Sequence, residues 1–207
     1  MGGVQGIADC TISGIGMYPC WRHRDSAKGH QSGYPFIFTR QQHITYQFQS
    51  TEPFMFFPSG THKDHGLAFN PLKAIVSPRP IGWISSIGAN GIHNLAPYSF
   101  FNAVSETPPM VAFSGSPGTQ GDKDTVKNIE ETGDFVVNIV SSSLMNAMNI
   151  TSASLPRDIS EFDQAQLTPK PSRLVSSPHV AESPCYLECK LWKIIDLPQA
   201  SDESKSR

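Results

Sequence analysis

The sequence has 207 residues, a mass of 22.7 kDa and a formal net charge of −2. This length is enough for one domain with a proper hydrophobic core and favours one domain over two. Charges of both signs are interspersed, without the basic stripe of a nucleic-acid-binding protein or a polybasic membrane patch. No apolar run approaches the roughly 18 residues of a membrane-spanning helix, and the N-terminus lacks the pattern of a secretory signal. We therefore expect a cytoplasmic protein that binds neither nucleic acid nor membrane.

The four cysteines indicate neither a disulfide framework nor a metal site. Cys185 and Cys189 lie four residues apart, which places them on one face of a strand. No second pair of Cys or His with zinc spacing accompanies them, and Cys10, Cys20 and His23 fit no common metal module. We interpret Cys185 and Cys189 as small buried hydrophobic residues and predict no metal site.

Residues 1–60 differ from the rest of the chain in composition and in hydrophobic pattern. Gly, Gln, Ser, His and Arg are scattered there without a sustained period, and YPFIFTRQQHITYQFQ is the only patch that resembles a strand. The aromatic residues in EPFMFFPSG indicate a segment that docks on the remainder. We predict that residues 1–60 form an N-terminal extension, poorly ordered or loosely docked, rather than an independent domain.

A hairpin is predicted where the pattern changes, after residue 70. Asn90-Gly91 is a strong turn signal because a type I′ turn needs positive φ at both central positions. Residues 81–88 and 92–104 should therefore pair as antiparallel strands, with a bend at Pro97.

Short helices and further strands follow. The stretch GDKDTVKNIEETGDF predicts a helix that Asp124 or Thr125 caps and that Gly133 ends. The other predicted elements are strands at residues 110–114, 135–140 and 186–195, a short helix at residues 143–150, and another in EFDQAQL. Short strands with hairpin turns and a few short helices are typical of a small β-barrel or an α+β domain.

Two polar clusters stand out, because the fingerprints of Rossmann, P-loop and α/β-hydrolase sites are all absent. The first is NLAPYSFFN, residues 94–102. A bend at Pro97 would free neighbouring backbone groups, which a planar heterocycle could use. The alternative is a bulged strand whose polar residues face solvent, and spacing alone favours that alternative.

The second cluster is Lys123, Asp124 and Thr125, with Asn128 one turn later. The start of a helix presents unpaired N–H groups and the positive end of the dipole. An ammonium and a hydroxyl beside them would suit a terminal phosphate. The alternative is an ordinary solvated helix cap, which this cluster taken alone favours.

Taken together and in order, the motifs resemble those of the flavin-reductase-like family that includes flavoredoxin. The resemblance covers about 130 residues and rests on KAIVSPRPIGWISSIGANGIHNLAPYSFFNAVSETPPMVAFS, KDTVKNIEETGDFVVNIV, AMNITSA, EFDQAQLTPKPSRLV and VAESPCYLECK. It implies a mainly β fold with short helices, a split β-barrel, that binds FMN and forms homodimers. It also implies NAD(P)H as the electron donor, with flavin and nicotinamide molecules as the small-molecule partners.

The resemblance also implies which residues touch the flavin. Backbone groups of residues 96–99 would face the polar edge of the ring, and Lys123 and Thr125 would hold the phosphate with help from Ser85. Trp83 and Tyr98 are interpreted as barrel core rather than as residues that stack on the flavin, although either could shield one face of the ring. Arg79 either touches flavin or braces its turn. The candidate cofactor-binding residues are Ser85, Ser86, Asn94, Ala96, Pro97, Tyr98, Ser99, Lys123, Thr125 and Asn128. No catalytic residue is predicted, because the redox chemistry belongs to the cofactor.

The expected domain runs from residue 66 to residue 195. Domains of this family continue past LECK through further strands, whereas this sequence enters a polar tail at residues 196–207. We therefore expect a barrel that lacks its C-terminal part and leaves an unpaired edge. Three hypotheses follow: an FMN-dependent oxidoreductase, a non-catalytic flavin-binding or electron-carrier module, or a truncated inactive fragment.

Overall fold

The computed structural model describes residues 4–13, 43–46, 55–115 and 123–197, and their side chains from residue 57 onward. The described residues fall into two compact units, one of residues 4–13 and 79–197 and one of residues between 43 and 78. The strands are β1 (Val4–Ser13), β2 (His43–Tyr46), β3 (Met55–Pro58), β4 (Gly82–Ile87), β5 (His93–Tyr98), β6 (Phe101–Glu106), β7 (Pro109–Gly115), β8 (Asp134–Asn138), β9 (Pro169–Lys170), β10 (His179–Val180) and β11 (Tyr186–Asp196). The helices are α1 (Leu72–Ile75), α2 (Asp124–Thr132), α3 (Met145–Ile150) and α4 (Glu161–Gln164), with 3-10 turns at His62–His65 and Ser142–Leu144.

The smaller unit contains the antiparallel pair β2–β3, the first 3-10 turn and α1. Phe57 of β3 is buried, and its ring stacks on His65 at 5.2 Å. Of the strand-like patch in the sequence, the described residues His43–Tyr46 form β2. Residues 14–42 and 47–54 lie outside the described residues.

The larger unit is built on an antiparallel sheet of seven strands in the order β5-β4-β8-β11-β1-β7-β6. The sheet is open, and β5 and β6 are its two edges. The mainly β class with short helices is confirmed, and each strand and helix predicted after residue 100 is present within a few residues of its expected bounds. Among the described residues, no helix has the length and hydrophobicity needed to cross a bilayer.

One strand of this sheet comes from the region that the sequence analysis treated as an extension. β1 pairs with β11 from Val4 opposite Asp196 to Ser13 opposite Tyr186, and with β7 on its other side. β11 is therefore an interior strand of the sheet, and the unpaired edges of the open sheet are β5 and β6. The alternation of apolar and polar residues in β1 is hard to recognise in the sequence, because Gly6 interrupts it. The register of its pairing with β11 also shifts between Ile7 and Ala8.

The predicted hairpin is confirmed, with a different turn. β4 and β5 pair from Gly82 opposite Tyr98 to Ile87 opposite His93. The connection is a three-residue loop, in which Gly91 N donates to Gly88 O at 2.8 Å and Gly88 N donates to Ile92 O at 3.0 Å. Only Gly91 has a positive φ, of +80°, so the type I′ prediction is wrong and the loop is a turn followed by a left-handed glycine.

The predicted strand of residues 92–104 is divided into two at Ser99 and Phe100, beyond the expected bend at Pro97. Its first half, β5, pairs with β4, and its second half, β6, pairs with β7 at the opposite edge. The corner is tied to β7 by a hydrogen bond of 2.8 Å from Ser114 N to Phe100 O. Pro97 stays within β5, where an edge strand tolerates a missing N–H.

The sheet carries a hydrophobic cluster on each of its faces, because alternate residues of β4 and β5 point in opposite directions. One cluster contains Ile84, Tyr98, Val111, Phe113, Ile129, Phe135, Val137 and Cys189. The other contains Trp83, Leu95, Phe162, Ala165, Leu167 and Val180. The interpretation of Trp83 and Tyr98 as core is therefore confirmed. Cys185, which we expected to be buried, precedes β11 and is a partly exposed free thiol.

A buried amide connects three strands on the second of these faces. Asn138 of β8 is fully buried, and its Nδ2 donates to Trp83 O and to Ser85 Oγ, both at 3.0 Å. Its Oδ1 accepts from Val180 N of β10 at 2.8 Å. Every polar atom of this side chain is therefore hydrogen-bonded, as buried polar groups require.

Candidate functional site

The start of α2 differs from the capped helix that the sequence predicts. Lys123 occupies the N-cap position with extended backbone angles, and among the described residues no side chain caps the first turn. Asp124 and Thr125 lie inside the helix, so the prediction that one of them caps it is wrong. Gly133 ends the helix as predicted, with φ of +77° and a hydrogen bond of 2.8 Å to Ile129 O.

Four of the predicted site residues meet in one buried network beneath α2. Thr125 Oγ1 donates to Asn94 Oδ1 at 2.6 Å, and Asn128 Nδ2 donates to Ser86 Oγ at 3.1 Å. Ser86 Oγ in turn donates to Asn94 Oδ1 at 3.4 Å. All four side chains are at least nine-tenths buried. The network therefore fixes α2 against β4 and β5 by hydrogen bonds as well as by packing.

Two charged residues that the sequence analysis missed belong to the same network. Glu161 Oε2 accepts from Asn94 Nδ2 and from Leu95 N, both at 3.0 Å. Arg157 Nη2 donates to Asn128 Oδ1 at 3.1 Å and to both carboxylate oxygens of Glu131 at 3.0 Å. These contacts join segments far apart in the sequence. Glu161 begins the EFDQAQL motif, but nothing in that motif indicates a contact with β5, and Arg157 lies in none of the motifs.

Lys123 and Tyr98 lie next to this network at the start of α2. Lys123 is exposed, and its Nζ stands 5.6 Å from the centroid of the Tyr98 ring. The Tyr98 hydroxyl is buried, and its contact with Thr125 falls short of hydrogen-bond geometry. Burial therefore dominates and raises the pKa of Tyr98 to about 12, although the Thr125 hydroxyl acts in the opposite direction.

The free edge of β5 presents only some of the predicted backbone contacts. Leu95 N points away from β4, because it donates to Glu161. By the alternation of an antiparallel ladder, the carbonyl of Pro97 points outward as well, whereas Ala96 directs its backbone groups to β4. Ser99 follows at the corner and is partly buried.

Ser85 is separated from the other predicted residues, because neighbouring residues of a strand point to opposite faces. Its fully buried hydroxyl bonds to Pro178 O and accepts from Asn138 Nδ2, on the face opposite to Ser86. The structure therefore does not bring Ser85 to Lys123 and Thr125. Arg79 lies against Phe100, with its guanidinium carbon 5.8 Å from the ring centroid.

The arrangement has the chemistry of a site for a flat molecule that ends in an anion. A helix start attracts an anion through its N–H groups and dipole, and the exposed ammonium of Lys123 adds a full positive charge. A strand edge with an outward carbonyl offers hydrogen bonds to a planar ring. Among the described residues, no group of three or more His, Cys, Asp or Glu is arranged to hold a metal ion.

The open sheet, with α2 packed across β4 and β5, is a split β-barrel. Residues 76–201 match the family model described as "Flavin reductase like domain". The chain therefore belongs to the flavin-reductase-like family, whose members include oxidoreductases, and the resemblance noted in the sequence is confirmed.

Curated relatives support this assignment. An uncharacterized protein of Aquifex aeolicus is 45% identical over 133 residues, which cover 64% of this chain and 68% of the relative. The uncharacterized protein YwrF of Bacillus subtilis is 38% identical over 124 residues, 60% of either chain. A third relative, from Deinococcus radiodurans, is covered over only 55% of its length.

Solved structures agree in fold. Nitrilotriacetate monooxygenase component B from Bacillus cereus superposes with a TM-score of 0.59 at 37% identity, over 66% of this chain and 73% of that one. The 2-nitrobenzoate 2-nitroreductase NbaA from Pseudomonas fluorescens gives a TM-score of 0.50 at 27% identity, over 69% and 79%.

Proposed function

We propose that this chain binds FMN and uses it to pass electrons from NAD(P)H to free flavin or another small acceptor. The observation that carries the proposal is the start of α2, where exposed Lys123 occupies the N-cap position, next to the polar edge of β5. The names of two similar structures, a monooxygenase component and a nitroreductase, are in keeping with a redox role.

In this proposal the residues of the site divide into two groups. Lys123 and the first N–H groups of α2 hold the phosphate, while Pro97 O and Ser99 meet the polar edge of the ring. Ser86, Asn94, Thr125 and Asn128 keep these two parts in register through their mutual hydrogen bonds. The bound flavin supplies the two-electron chemistry, and the protein binds and orients it.

The Thr125 hydroxyl has a more indirect role than the sequence indicates. Its proton is donated to Asn94 Oδ1 at 2.6 Å, so the hydroxyl is not available as a donor to a phosphate. We therefore assign the phosphate contact at this position to the backbone N–H of Thr125, and the hydroxyl to the network beneath it.

The first test is retention of flavin. We expect the purified chain, incubated with excess FMN and passed over a gel-filtration column, to retain FMN close to one per chain. Denaturation should release FMN rather than FAD, as chromatography of the supernatant will tell. A folded, monodisperse preparation that retains no FMN would contradict the proposal.

Turnover is a separate measurement. Steady-state oxidation of NADH and NADPH by the FMN-loaded chain should distinguish an oxidoreductase from a non-catalytic flavin carrier, because both bind flavin and only the former consumes the nicotinamide. We also propose that the protein acts in the cytoplasm as a homodimer, which sedimentation of the FMN-loaded chain can test.

A further inference from the structure

A carboxylate that is nearly inaccessible to solvent lies at the centre of the candidate site. Glu161 is the first residue of α4, and only 6% of it is exposed. Its Oε2 accepts two hydrogen bonds from β5, one from the side-chain amide of Asn94 and one from the backbone N–H of Leu95, each 3.0 Å long. Burial of a charged carboxylate costs free energy unless hydrogen-bond donors compensate for the lost water. A carboxylate at this buried position therefore requires an explanation.

The contact to Glu161 determines which way round the Asn94 amide lies. An ionised carboxylate can only accept hydrogen bonds, so it must face the NH2 end of Asn94. The carbonyl end then faces α2, where it accepts from Thr125 Oγ1 at 2.6 Å. In the reversed orientation, the Asn94 oxygen would meet the carboxylate and Thr125 would lose its acceptor.

The charged groups around Glu161 come from three elements. Burial raises the pKa of the Glu161 carboxyl above its ordinary value; hydrogen bonds from Leu95 N and Asn94 act in the opposite direction, and Asp124 of α2 adds a smaller rise. Arg157 and His93 line the same recess as Glu161. Arg157 is already engaged with Glu131, so the donors on β5 are the partners that hold the Glu161 side chain in place.

We propose that Glu161 is a positioning residue of the flavin site: by fixing Asn94, it sets the start of α2 against the edge of β5. This inference rests on the proposed binding of FMN between these two elements. The role assigned to Glu161 is indirect, because its contacts are with Asn94 and Leu95 of β5. Its effect passes through Asn94 to Thr125 and the first turn of α2.

Three variants separate positioning from general stability. Glu161→Ala removes the acceptor, Glu161→Gln keeps an acceptor oxygen, and Asp163→Ala removes an exposed carboxylate of the same helix. Dissociation constants for FMN are measured by fluorescence quenching, at a temperature well below the unfolding midpoint of each variant. We expect Glu161→Ala to raise the dissociation constant for FMN about tenfold or more. The constant of Glu161→Gln should stay within about threefold of that of the natural chain, and Asp163→Ala should leave it unchanged.

A second measurement tests the route through Asn94. If Asn94 transmits the effect, Glu161→Ala should reduce the affinity for FMN much less in an Asn94→Ala background than in the natural chain. The effects of substitutions at two coupled residues are not additive. A readout without flavin is the NMR signal of the Asn94 side-chain NH2 group. It should move or broaden in Glu161→Ala and stay in place in Asp163→Ala.

The outcomes distinguish the two proposals. If the natural chain binds FMN and Glu161→Ala binds it equally well, the positioning role is wrong even when that variant unfolds at a lower temperature. If Glu161→Ala reduces the affinity for FMN equally in the natural chain and in the Asn94→Ala background, the positioning role is likewise wrong. If the natural chain itself binds no FMN, the proposed function fails and this inference fails with it.

Discussion

Replacing Lys123 with alanine is expected to weaken FMN binding roughly ten- to a hundredfold and to leave riboflavin binding almost unchanged. Only FMN carries the phosphate that the ammonium meets, and one charge-assisted contact is worth about 1.5–3 kcal/mol. Because Lys123 is exposed, the substitution should change the free energy of unfolding by no more than about 0.5 kcal/mol. Parallel titrations of both ligands give the comparison directly.

Lys127→Ala is the matched control, since Lys127 lies one turn further along α2 and away from its start. This variant should bind FMN like the natural chain. Raising the salt concentration should narrow the difference between FMN and riboflavin in the natural chain and leave Lys123→Ala unaffected, because a partly exposed ion pair is screened. Equal losses for FMN and riboflavin in Lys123→Ala would mean that Lys123 is an ordinary solvated residue.

The largest effect on stability is expected at Asn138. Asn138→Ala leaves Trp83 O and Val180 N without their buried partner and removes one hydrogen bond from Ser85. Each buried polar group without a partner costs about 1–3 kcal/mol, so the total loss should be about 3–5 kcal/mol. A domain of this size has about 5–15 kcal/mol of stability in all. Denaturant unfolding followed by tryptophan fluorescence measures the loss.

Asn146→Ala provides the comparison, since Asn146 is an exposed asparagine in α3. It should change the free energy of unfolding by no more than about 0.5 kcal/mol. A loss below about 1 kcal/mol for Asn138→Ala would show that water or a local rearrangement satisfies the groups left behind.

Local sequence signals account for most of the strands and helices. Asn90-Gly91 identified the β4–β5 hairpin because few residue pairs allow so tight a reversal, although only Gly91 adopts a positive φ. Gly133 identified the end of α2 for the same reason. These features depend on neighbouring residues, and so they can be read from a short window.

Long-range partners could not be predicted in the same way. The polar residues Asn94, Thr125 and Asn128 were identified, but the sequence does not show that the Thr125 hydroxyl is used by Asn94. Glu161 and Arg157 look like ordinary charged residues of a short helix and a loop. Their roles arise only from the folded chain, which places them against side chains 26 to 67 residues away.

The position of β1 has a consequence for how the chain reaches this fold. Residues 4–13 lie between β7 and β11 and pair with residues 186–196, so the centre of the sheet joins nearly the two extremes of the described chain. During synthesis, the first strand must wait without its β11 partner until residues 186–196 have been made. Contacts so distant in sequence are reached late and slowly, since closing the intervening loop costs entropy before any pairing compensates for it. This protein should therefore fold more slowly than a helical protein of equal size and should rely on protection of its first strand while it is being translated.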